Sequence, residues 1–271
     1  MKFLFVPVNY KSYNALDEYI KAIIVAMDEI KDETLIVDIY VADNSPEPQV
    51  IKNNYNIEGL NIKGYNYNNP GYLNAALSTI YSINSSIYNY IIISNVDVIV
   101  DKSIFIEFKK LKLDKQTVWI APSIYSASEK RDVNPKNTER YSKQRLQNLR
   151  RLFRFPFLYR LYTKTFYKQK ISTITPQKPQ QDIYAAHGSF MIFTSEFFKK
   201  CPTLSYPVFL FCEEIFFAET VRRIGGKVTY CPSIKIKDKE HASTSKMNLS
   251  KYCKYNYEAL TYIINTFYEQ D

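Results

Sequence analysis

Apolar and polar positions along the first hundred residues form blocks that predict strands and helices in turn. An opening apolar run predicts a strand, and apolar residues at helical spacing behind it predict an amphipathic helix. β-Branched runs then predict further strands, and a turn-rich break separates two of them before a second helix. In order, the predictions are strand 2–8, helix 15–31, strand 35–42, strand 60–65, a helix through Ala75, Ala76 and Ile80, and strand 88–94. This alternation is typical of an α/β fold with a mostly parallel central sheet flanked by helices.

The pattern lapses in the middle of the chain and then returns. Between residues 126 and 181 no strand signal occurs, and the sequence there is first basic and aromatic, then rich in Pro, Gln and Thr. On either side we predict strands over 117–121, 185–193 and 227–231 and helices over 214–223 and 249–267. A chain of 271 residues suits one large α/β domain. We therefore predict a single domain over 1–271, comprising a first half over 1–121, a basic helical insert over 122–183 and a second half over 184–271.

The net charge of +9 lies in that insert. Residues 139–170 hold ten Lys and Arg against one acidic residue, while the rest of the chain holds 26 of each sign. This distribution argues against a nucleic-acid-binding protein charged over its whole surface. Two interpretations of the segment stay open, namely docking on an anionic membrane surface and a solvated insert that covers the sheet or forms a dimer contact. Pro156 predicts two short helices there rather than one.

Other global features favour a cytoplasmic protein, peripheral on the inner face of the cell membrane if the docking interpretation is right. The apolar runs are of strand length, far short of the roughly 20 residues that cross a bilayer. The opening residues lack the pattern of a secretory signal. The four cysteines have no CxxC pair or metal-ligand spacing, which indicates reduced structural thiols.

Polar residues follow the predicted parallel strands, where an open α/β sheet binds its ligands. Asn9 follows the first strand, Asp43 the second, and Asn95 and Asp97 the fourth. Neither GxGxxG nor GxxxxGK[ST] occurs, which argues against a dinucleotide-dependent dehydrogenase and a P-loop NTPase. Asp97 stands between two strongly apolar stretches, where a carboxylate needs compensation. A divalent cation and a simple turn or helix cap are both open interpretations here.

Glu213 and Glu214 are adjacent acids at the start of a predicted helix. Acids in a first turn favour the helix dipole, which is a purely structural explanation. The helix continues with apolar residues into the fold, and neighbouring carboxylates raise one another's pKa, which suits a general base.

Short motifs occur along the chain in a fixed order. They are 6–10 (VPVNY), 41–45 (VADNS, like VDNxS), 69–72 (NPGY, like NxGf), 94–97 (SNVD, like the NPD form of the DxD motif), 187–191 (HGSFM), 209–225 (like fxyxEDxdlxxRxxxxG), and 230–232 (YCP) with His241. Together these segments resemble family 2 glycosyltransferases with the GT-A fold, particularly the bacterial rhamnosyltransferase-like and galactofuranosyltransferase-like branches. The match covers about residues 1–244, and each motif is weak alone, whereas all of them in this order are specific. The sequence departs from the pattern at Glu214 in place of Asp, at Phe216 and Thr220, and in a longer gap before His241.

The resemblance implies inverting, metal-dependent transfer of a sugar from a UDP- or dTDP-sugar to a glycan or lipid-linked acceptor, in bacterial surface polysaccharide synthesis. It implies Mg²⁺ or Mn²⁺ at Asp97, with His241 as a further ligand. Glu214 would be the general base and Glu213 its neighbour. The implied donor-binding residues are Val8, Asn9, Asp43, Asn69, Gly71, Asn95 and Asp97, and the implied acceptor-binding residues are His187 and Gly188.

Three rival hypotheses remain at this point. A sugar-phosphate nucleotidyltransferase shares a related core, but no Gly-rich basic loop follows the first strand. A nucleic-acid-binding protein would use residues 139–170, although the neutral remainder leads us to expect no nucleic-acid partner. A catalytically inactive scaffold is disfavoured by acids at both key positions.

Overall fold

The computed structural model describes residues 1–51, 55–166, 178–239 and 247–269, with backbone only at 165 and 166. The strands are β1 (Lys2–Asn9), β2 (Ile36–Asp43), β3 (Leu60–Asn66), β4 (Tyr90–Asn95), β5 (Val98–Val100), β6 (Thr117–Ser126), β7 (Arg131–Asp132), β8 (Gln181–Ile183), β9 (Phe190–Thr194) and β10 (Lys227–Asp238). The helices are α1 (Tyr13–Ile30), α2 (Tyr72–Tyr81), α3 (Ile104–Lys110), α4 (Lys143–Arg154), α5 (Pro156–Phe166), α6 (Ser195–Lys200), α7 (Glu213–Arg223) and α8 (Leu249–Phe267), and a 3₁₀ turn spans Ser85–Ile87.

One mixed, mostly parallel sheet runs through the described chain in the order β3-β2-β1-β4-β9-β6-β10-β5. The pairs β2–β3, β1–β2, β1–β4 and β6–β10 are parallel. β9 is antiparallel to both β4 and β6, so it joins the two parallel parts. β7 and β8 pair with β6 and β10 outside this path. The carboxyl ends of β1, β2 and β4 therefore meet at one edge, as the predicted parallel sheet requires.

Two apolar cores cover the two faces of this sheet. Along β1 the side chains alternate, with Phe3 and Phe5 in one core and Leu4, Val6 and Val8 in the other. Helices α1 and α3 close the first core. Helices α2, α4, α6, α7 and α8 close the second. Both faces of the sheet are therefore buried, which explains why its central strands are nearly continuous apolar runs.

Three predicted strands have the wrong limits. β6 continues past Pro122 to Ser126, and β10 continues past Cys231 to Asp238, because a register shift between Cys231 and Lys235 lets both strands continue past their prolines. The strand predicted over 185–193 begins only at Phe190. Residues before it form a bridge between Ala185 and Asn137 and then a turn. The stretch without strand signal contains the short β7, and β8 begins at its end.

The basic segment forms α4 and α5, and α5 begins at Pro156, as the proline predicts. Leu146 of α4 is fully buried in the second core, and α4 packs on α8. Residues 167–170 of the segment lie outside the described residues. Among the described helices, none combines the length and apolar character needed to cross a bilayer.

Candidate functional site

A cavity of about 500 Å³ opens at the carboxyl edge of β1 and β4. Four of the predicted donor-binding residues line it, namely Val8, Asn69, Asn95 and Asp97. The other lining residues are Tyr10, Ser12, Ala15, Asn44, Tyr72, Val96, Phe209, Leu210, Met247, Asn248, Lys251 and Tyr255. The cavity thus lies where an open α/β sheet binds ligands, and its size is that of a small-molecule site.

Asn9 and Asp43, also predicted to bind donor, lie behind the cavity wall and bond to each other. Asn9 Nδ2 donates to Asp43 Oδ1 at 3.2 Å, and both residues are almost fully buried. Asp43 Oδ1 also accepts from the Ser45 amide at 3.1 Å, and Asp43 Oδ2 accepts from the Tyr13 hydroxyl at 2.7 Å. Asn9 Oδ1 accepts from the Ser12 amide at 3.1 Å. Both side chains therefore fix the turns that carry the lining residues.

The loop before α2 approaches the loop before α7 through Gly71. Gly71 has φ 105°, and a Cβ on it would lie 2.5 Å from the Phe209 carbonyl oxygen. Only glycine adopts this backbone without strain, so the residue is explained by a turn and a close contact. Asn69, in the same loop, has φ 63° and reaches the cavity. Phe209 and Leu210, from the loop before α7, line the same cavity as Asn69.

Asp97 lies in the bend between β4 and β5, on the cavity wall. The Asn95 amide donates to the Ser189 carbonyl at 2.9 Å, which ties the end of β4 to the start of β9. The Lys239 amide donates to the Asp97 carbonyl at 3.0 Å, so the chain leaves β10 beside Asp97. His241 follows two residues later and lies outside the described residues. Its role as a metal ligand stays a prediction.

A strained loop carries the two adjacent acids. Phe211 and Cys212 both have positive φ, at 76° and 61°, an arrangement that costs about 1–3 kcal/mol per non-glycine residue. The Tyr206 hydroxyl donates to the Phe211 carbonyl, and the Phe211 amide donates to Glu213 Oε1 at 2.8 Å. These bonds hold the loop and start α7 at Glu213. Strain of this kind is common at functional sites.

Glu213 and Glu214 have different surroundings. Burial, reinforced by the neighbouring Glu214, raises the pKa of Glu213 to about 7. Burial also opposes the charge on Glu214, but the Lys136 ammonium lies 2.7 Å from Glu214 Oε1. This ion pair outweighs burial and leaves the pKa of Glu214 below its ordinary value. Glu214 is therefore ionised at neutral pH, whereas Glu213 is partly protonated.

His187 and Gly188 lie on the Glu214 side of the site. The His187 amide donates to Asn134 Oδ1 at 2.8 Å, and His187 Nδ1 lies 2.9 Å from Ser189 Oγ. Burial, together with the nearby Lys136 charge, lowers the pKa of His187 to about 4, although Glu214 opposes the shift. The imidazole is neutral at physiological pH.

Tyr72 connects the cavity to the acids. It lines the cavity, and its hydroxyl donates to the Gly188 carbonyl at 3.4 Å. Its pKa is raised far above the ordinary value by burial and then by the charges of Glu213 and Asp97. The Tyr72 side chain thus lies near the strand-end carboxylate of Asp97, near Glu213 and next to Gly188. The structure therefore brings the predicted donor-binding residues of the cavity close to Glu213 and Gly188.

Among the solved structures that match this fold are two GT-A glycosyltransferases, TarS and GalNAc-T7. S. aureus TarS 1–349 in complex with UDP-GlcNAc matches with a TM-score of 0.55 and 12% identity over 99% of this chain and 68% of that one. GalNAc-T7 with UDP, GalNAc and Mn²⁺ matches with a TM-score of 0.55 and 12% identity over 100% of this chain and 49% of that one. Against a longer TarS chain the TM-score is 0.54 at 9% identity, over 100% of this chain and 45% of that one. No protein-family model and no curated protein matches the sequence.

The fold is that of the GT-A glycosyltransferases. The predicted fold class is therefore confirmed. Identities of 9–12% establish a shared fold alone, so membership of family 2 and of either branch stays a prediction. The chain spans about half of the GalNAc-T7 chain and of the longer TarS chain.

The oxygen ligands available in this GT-A site suit a cation shared with a substrate. Among residues 1–51, 55–166, 178–239 and 247–269, no three His, Cys, Asp or Glu side chains come close enough to form a complete metal site. Asp97 and Asn95 nevertheless line one cavity, and both side chains contain oxygen. Mg²⁺ is commonly held by one or two carboxylates plus substrate phosphates, so this sparse set fits such an ion.

Sequence reasoning missed two lysines of the site. Lys136 reaches Glu214 from 78 positions away, and Lys251 of α8 lines the cavity. Neither belongs to a local motif. In the sequence, Lys136 is notable only because it lies close to the basic segment 139–170. That position does not indicate an ion pair with Glu214 of α7.

Proposed function

We propose that this chain is an inverting, metal-dependent glycosyltransferase that moves a sugar from a UDP- or dTDP-linked donor to a hydroxyl of a glycan or lipid-linked glycan. One observation carries the proposal: a cavity of about 500 Å³, with Asp97 on its wall, lies at the strand ends of a GT-A sheet, next to paired glutamates. TarS was crystallised with UDP-GlcNAc, and GalNAc-T7 with UDP, GalNAc and Mn²⁺. A donor of the same chemical class fits the size of this cavity.

In this proposal the cavity residues bind the donor and the buried pair behind them gives the cavity its shape. Val8, Asn44 and Asn69 would face the nucleoside, since they line the wall supported by Asn9 and Asp43. Lys251, a cation on the same wall, would face the diphosphate. Asp43 would serve the donor through this support, because both of its carboxylate oxygens already accept hydrogen bonds from the protein.

Asp97 would hold Mg²⁺ or Mn²⁺ through its carboxylate, with Asn95 beside it and the donor diphosphate supplying further oxygens. The ion would neutralise charge on the departing nucleoside diphosphate. His241 remains a candidate additional ligand, because Lys239, two residues earlier, is bonded to the Asp97 backbone.

Glu214 would act as the general base. Lys136 is bound at Glu214 Oε1 and keeps the carboxylate ionised, so Oε2 would take the proton of the acceptor hydroxyl. The hydroxyl oxygen then bonds to the anomeric carbon as the bond from that carbon to the diphosphate breaks on the opposite face. His187 and Gly188 lie on this side and would contact the acceptor. Glu213 would hold the loop through the Phe211 amide.

Thermal unfolding with a panel of UDP- and dTDP-sugars, with and without Mn²⁺, tests the proposal. A ligand at 100 times its Kd stabilises the native state by about 2.7 kcal/mol. At about 2–4 °C per kcal/mol for a chain of this size, the melting temperature should rise by roughly 5–10 °C with the correct donor and metal. Asp97→Asn should lose the metal-dependent part of this rise and still unfold cooperatively.

Asp28→Asn, at an exposed position on α1, is the matched control and should keep the full rise. The proposal fails if no nucleotide sugar shifts wild-type protein, or if the shift is the same in EDTA and in Asp97→Asn. A response to nucleoside triphosphate plus sugar phosphate alone would indicate a nucleotidyltransferase instead.

A further inference from the structure

The outer side of α5, together with the residue just before it, carries a group of exposed apolar side chains that the proposed chemistry does not use. They are Phe155, Phe157, Leu158, Leu161 and Tyr162, and we call them the α5 surface. Their exposed fractions range from 44% for Tyr162 to 70% for Phe157. Single exposed apolar residues are ordinary on proteins, but five within eight positions indicate an interaction site.

Cations flank the α5 surface on both helices. Arg151, Arg154, Arg160 and Lys164 are all exposed. From Arg140 to Gln181 the sequence contains no Asp or Glu, so these cations have no acidic neighbour within α4 or α5. The surface is therefore apolar at its centre and positively charged at its margin.

The inner side of the same two helices is packed. The Phe153 ring lies 4.9 Å from Tyr159 and 6.0 Å from Tyr252 of α8, and Tyr159 lies 5.6 Å from Tyr252. With Leu146 buried below, α4 and α5 rest on the body of the protein. The outward position of Phe157 and Leu161 is thus set by helices that are already anchored.

We propose that the α5 surface docks the protein on the headgroup region of an anionic lipid bilayer. A second copy of the chain would bring the same cations together, and charge repulsion opposes that contact. Single-stranded nucleic acid would use the arginines and aromatic rings, but it gives Leu158 and Leu161 no stacking partner. An anionic bilayer matches both features, because apolar side chains enter the acyl boundary while Lys and Arg contact the headgroups.

The docked orientation would bring the cavity close to the bilayer. Tyr252, which supports α5, is next in sequence to Lys251, and Lys251 and Tyr255 line the cavity from the same helix. Tyr252 also contacts Phe211, with ring centroids 5.0 Å apart, in the strained loop before Glu213. One helix therefore separates the α5 surface from the site, and an acceptor held in the membrane would have a short path to it. Docking itself does not depend on the proposed transfer reaction.

Vesicle flotation of the whole protein tests the proposal. Wild-type protein should float with phosphatidylglycerol vesicles at low salt, bind much less at high salt, and bind phosphatidylcholine vesicles weakly. Arg151→Glu, Arg154→Glu and Arg160→Glu together should lower the partition coefficient by at least about 100-fold. Phe157→Ser with Leu161→Ser should lower it by about tenfold or more while keeping its salt dependence.

The matched control reverses three exposed lysines elsewhere, Lys63→Glu, Lys112→Glu and Lys115→Glu, and should float like wild type. Thermal unfolding of each variant establishes that it is folded. The proposal is overturned if wild type ignores phosphatidylglycerol vesicles, or if the control triple loses binding equally. It is also overturned if the α5 variants abolish only a single-stranded RNA complex or only a solution dimer.

Discussion

Glu213 and Glu214 are neighbours in sequence, yet their surroundings move their pKa values in opposite directions. Glu213 is half-buried beside a like charge, and the loss of solvent there raises its pKa to about 7. Glu214 is half-buried too, but the Lys136 ammonium lies 2.7 Å from Glu214 Oε1, and the pKa of Glu214 falls. In many active sites, two acids whose pKa values are moved apart by their surroundings have different catalytic roles. Substituting each glutamate in turn tests whether Glu213 and Glu214 differ in role.

Glu214→Gln should lower kcat by about 10²- to 10⁴-fold, since the amide cannot take the proton of the acceptor. The rise in melting temperature with donor should be unchanged, because Glu214 lies outside the cavity wall. Glu213→Gln, which removes charge at the adjacent position, is the paired comparison and should retain most of its turnover. An inactive Glu213→Gln beside an active Glu214→Gln would exchange the two roles.

The pH dependence of kcat/KM gives a second, independent measurement. The pKa of Glu214 lies below its ordinary value, so the carboxylate is ionised at every pH above that ordinary value. kcat/KM should therefore be constant from about pH 5.5 to 8. Lys136→Met removes the ion pair, which is the main interaction that opposes the effect of burial on Glu214, so the acid limb of the pH profile should move to higher pH. A wild-type rate that instead climbs through about pH 7 would identify Glu213 as the base.

Secondary-structure elements with a long apolar signal were predicted well from the sequence, and short or interrupted ones were not. β1 to β4, α1 and α8 lie within two residues of their predicted limits. β5, α3 and α6 were not predicted, because three to seven residues carry too little periodicity. The parallel strands placed Asn95 and Asp97 correctly at one sheet edge. The pairing of Lys136 with Glu214 depends on tertiary packing, which no local pattern encodes.

Gly71 joins two of these elements, the start of α2 and the loop before α7. Gly71→Ala should lower the free energy of unfolding by about 2–4 kcal/mol, since its backbone and its contact with the Phe209 carbonyl both exclude a Cβ. Gly188→Ala is the control, because a Cβ there meets no atom within 4 Å, and it should change stability by less than about 1 kcal/mol. Urea unfolding measures both. If both variants lose the same stability, the contact with the Phe209 carbonyl is not the reason for a glycine at position 71.

At the scale of the whole molecule, Glu219 joins segments that are distant in sequence. It is fully buried in α7, and its carboxylate pairs with Arg140 at 2.7 Å and Arg222 at 3.1 Å. It also accepts from the Tyr184 hydroxyl at 2.6 Å and the Tyr268 hydroxyl at 3.0 Å. The segment before α4, the strand region near β8 and the end of α8 thus share one carboxylate. Despite the cost of burial, these partners lower its pKa.

Glu219→Gln should lower the free energy of unfolding by about 3 kcal/mol, because it leaves Arg140 without its buried partner. In wild type, the contribution of the carboxylate should be present above its unfolded pKa, near the ordinary value of 4.5, and be lost as the pH falls through the lowered folded value. Glu196→Gln, in an exposed pair with Lys199, should leave stability essentially unchanged. Similar losses in both variants would contradict a special role for the buried network.

The position of β4 in the sheet has a consequence for how the protein is made. One edge of β4 pairs with β1, which is synthesised before it. The other edge pairs with β9, which is synthesised about 100 residues later. At roughly 5–20 residues per second, a ribosome needs about 5–20 s to reach β9. Throughout that interval the edge of β4 that contains Ile91, Ile92 and Ile93 has no pairing strand. An unpaired apolar edge of this kind is a template for aggregation. Nascent chains stalled between these two strands should therefore bind chaperones that hold apolar segments, and release from the chaperone should follow the synthesis of Thr194.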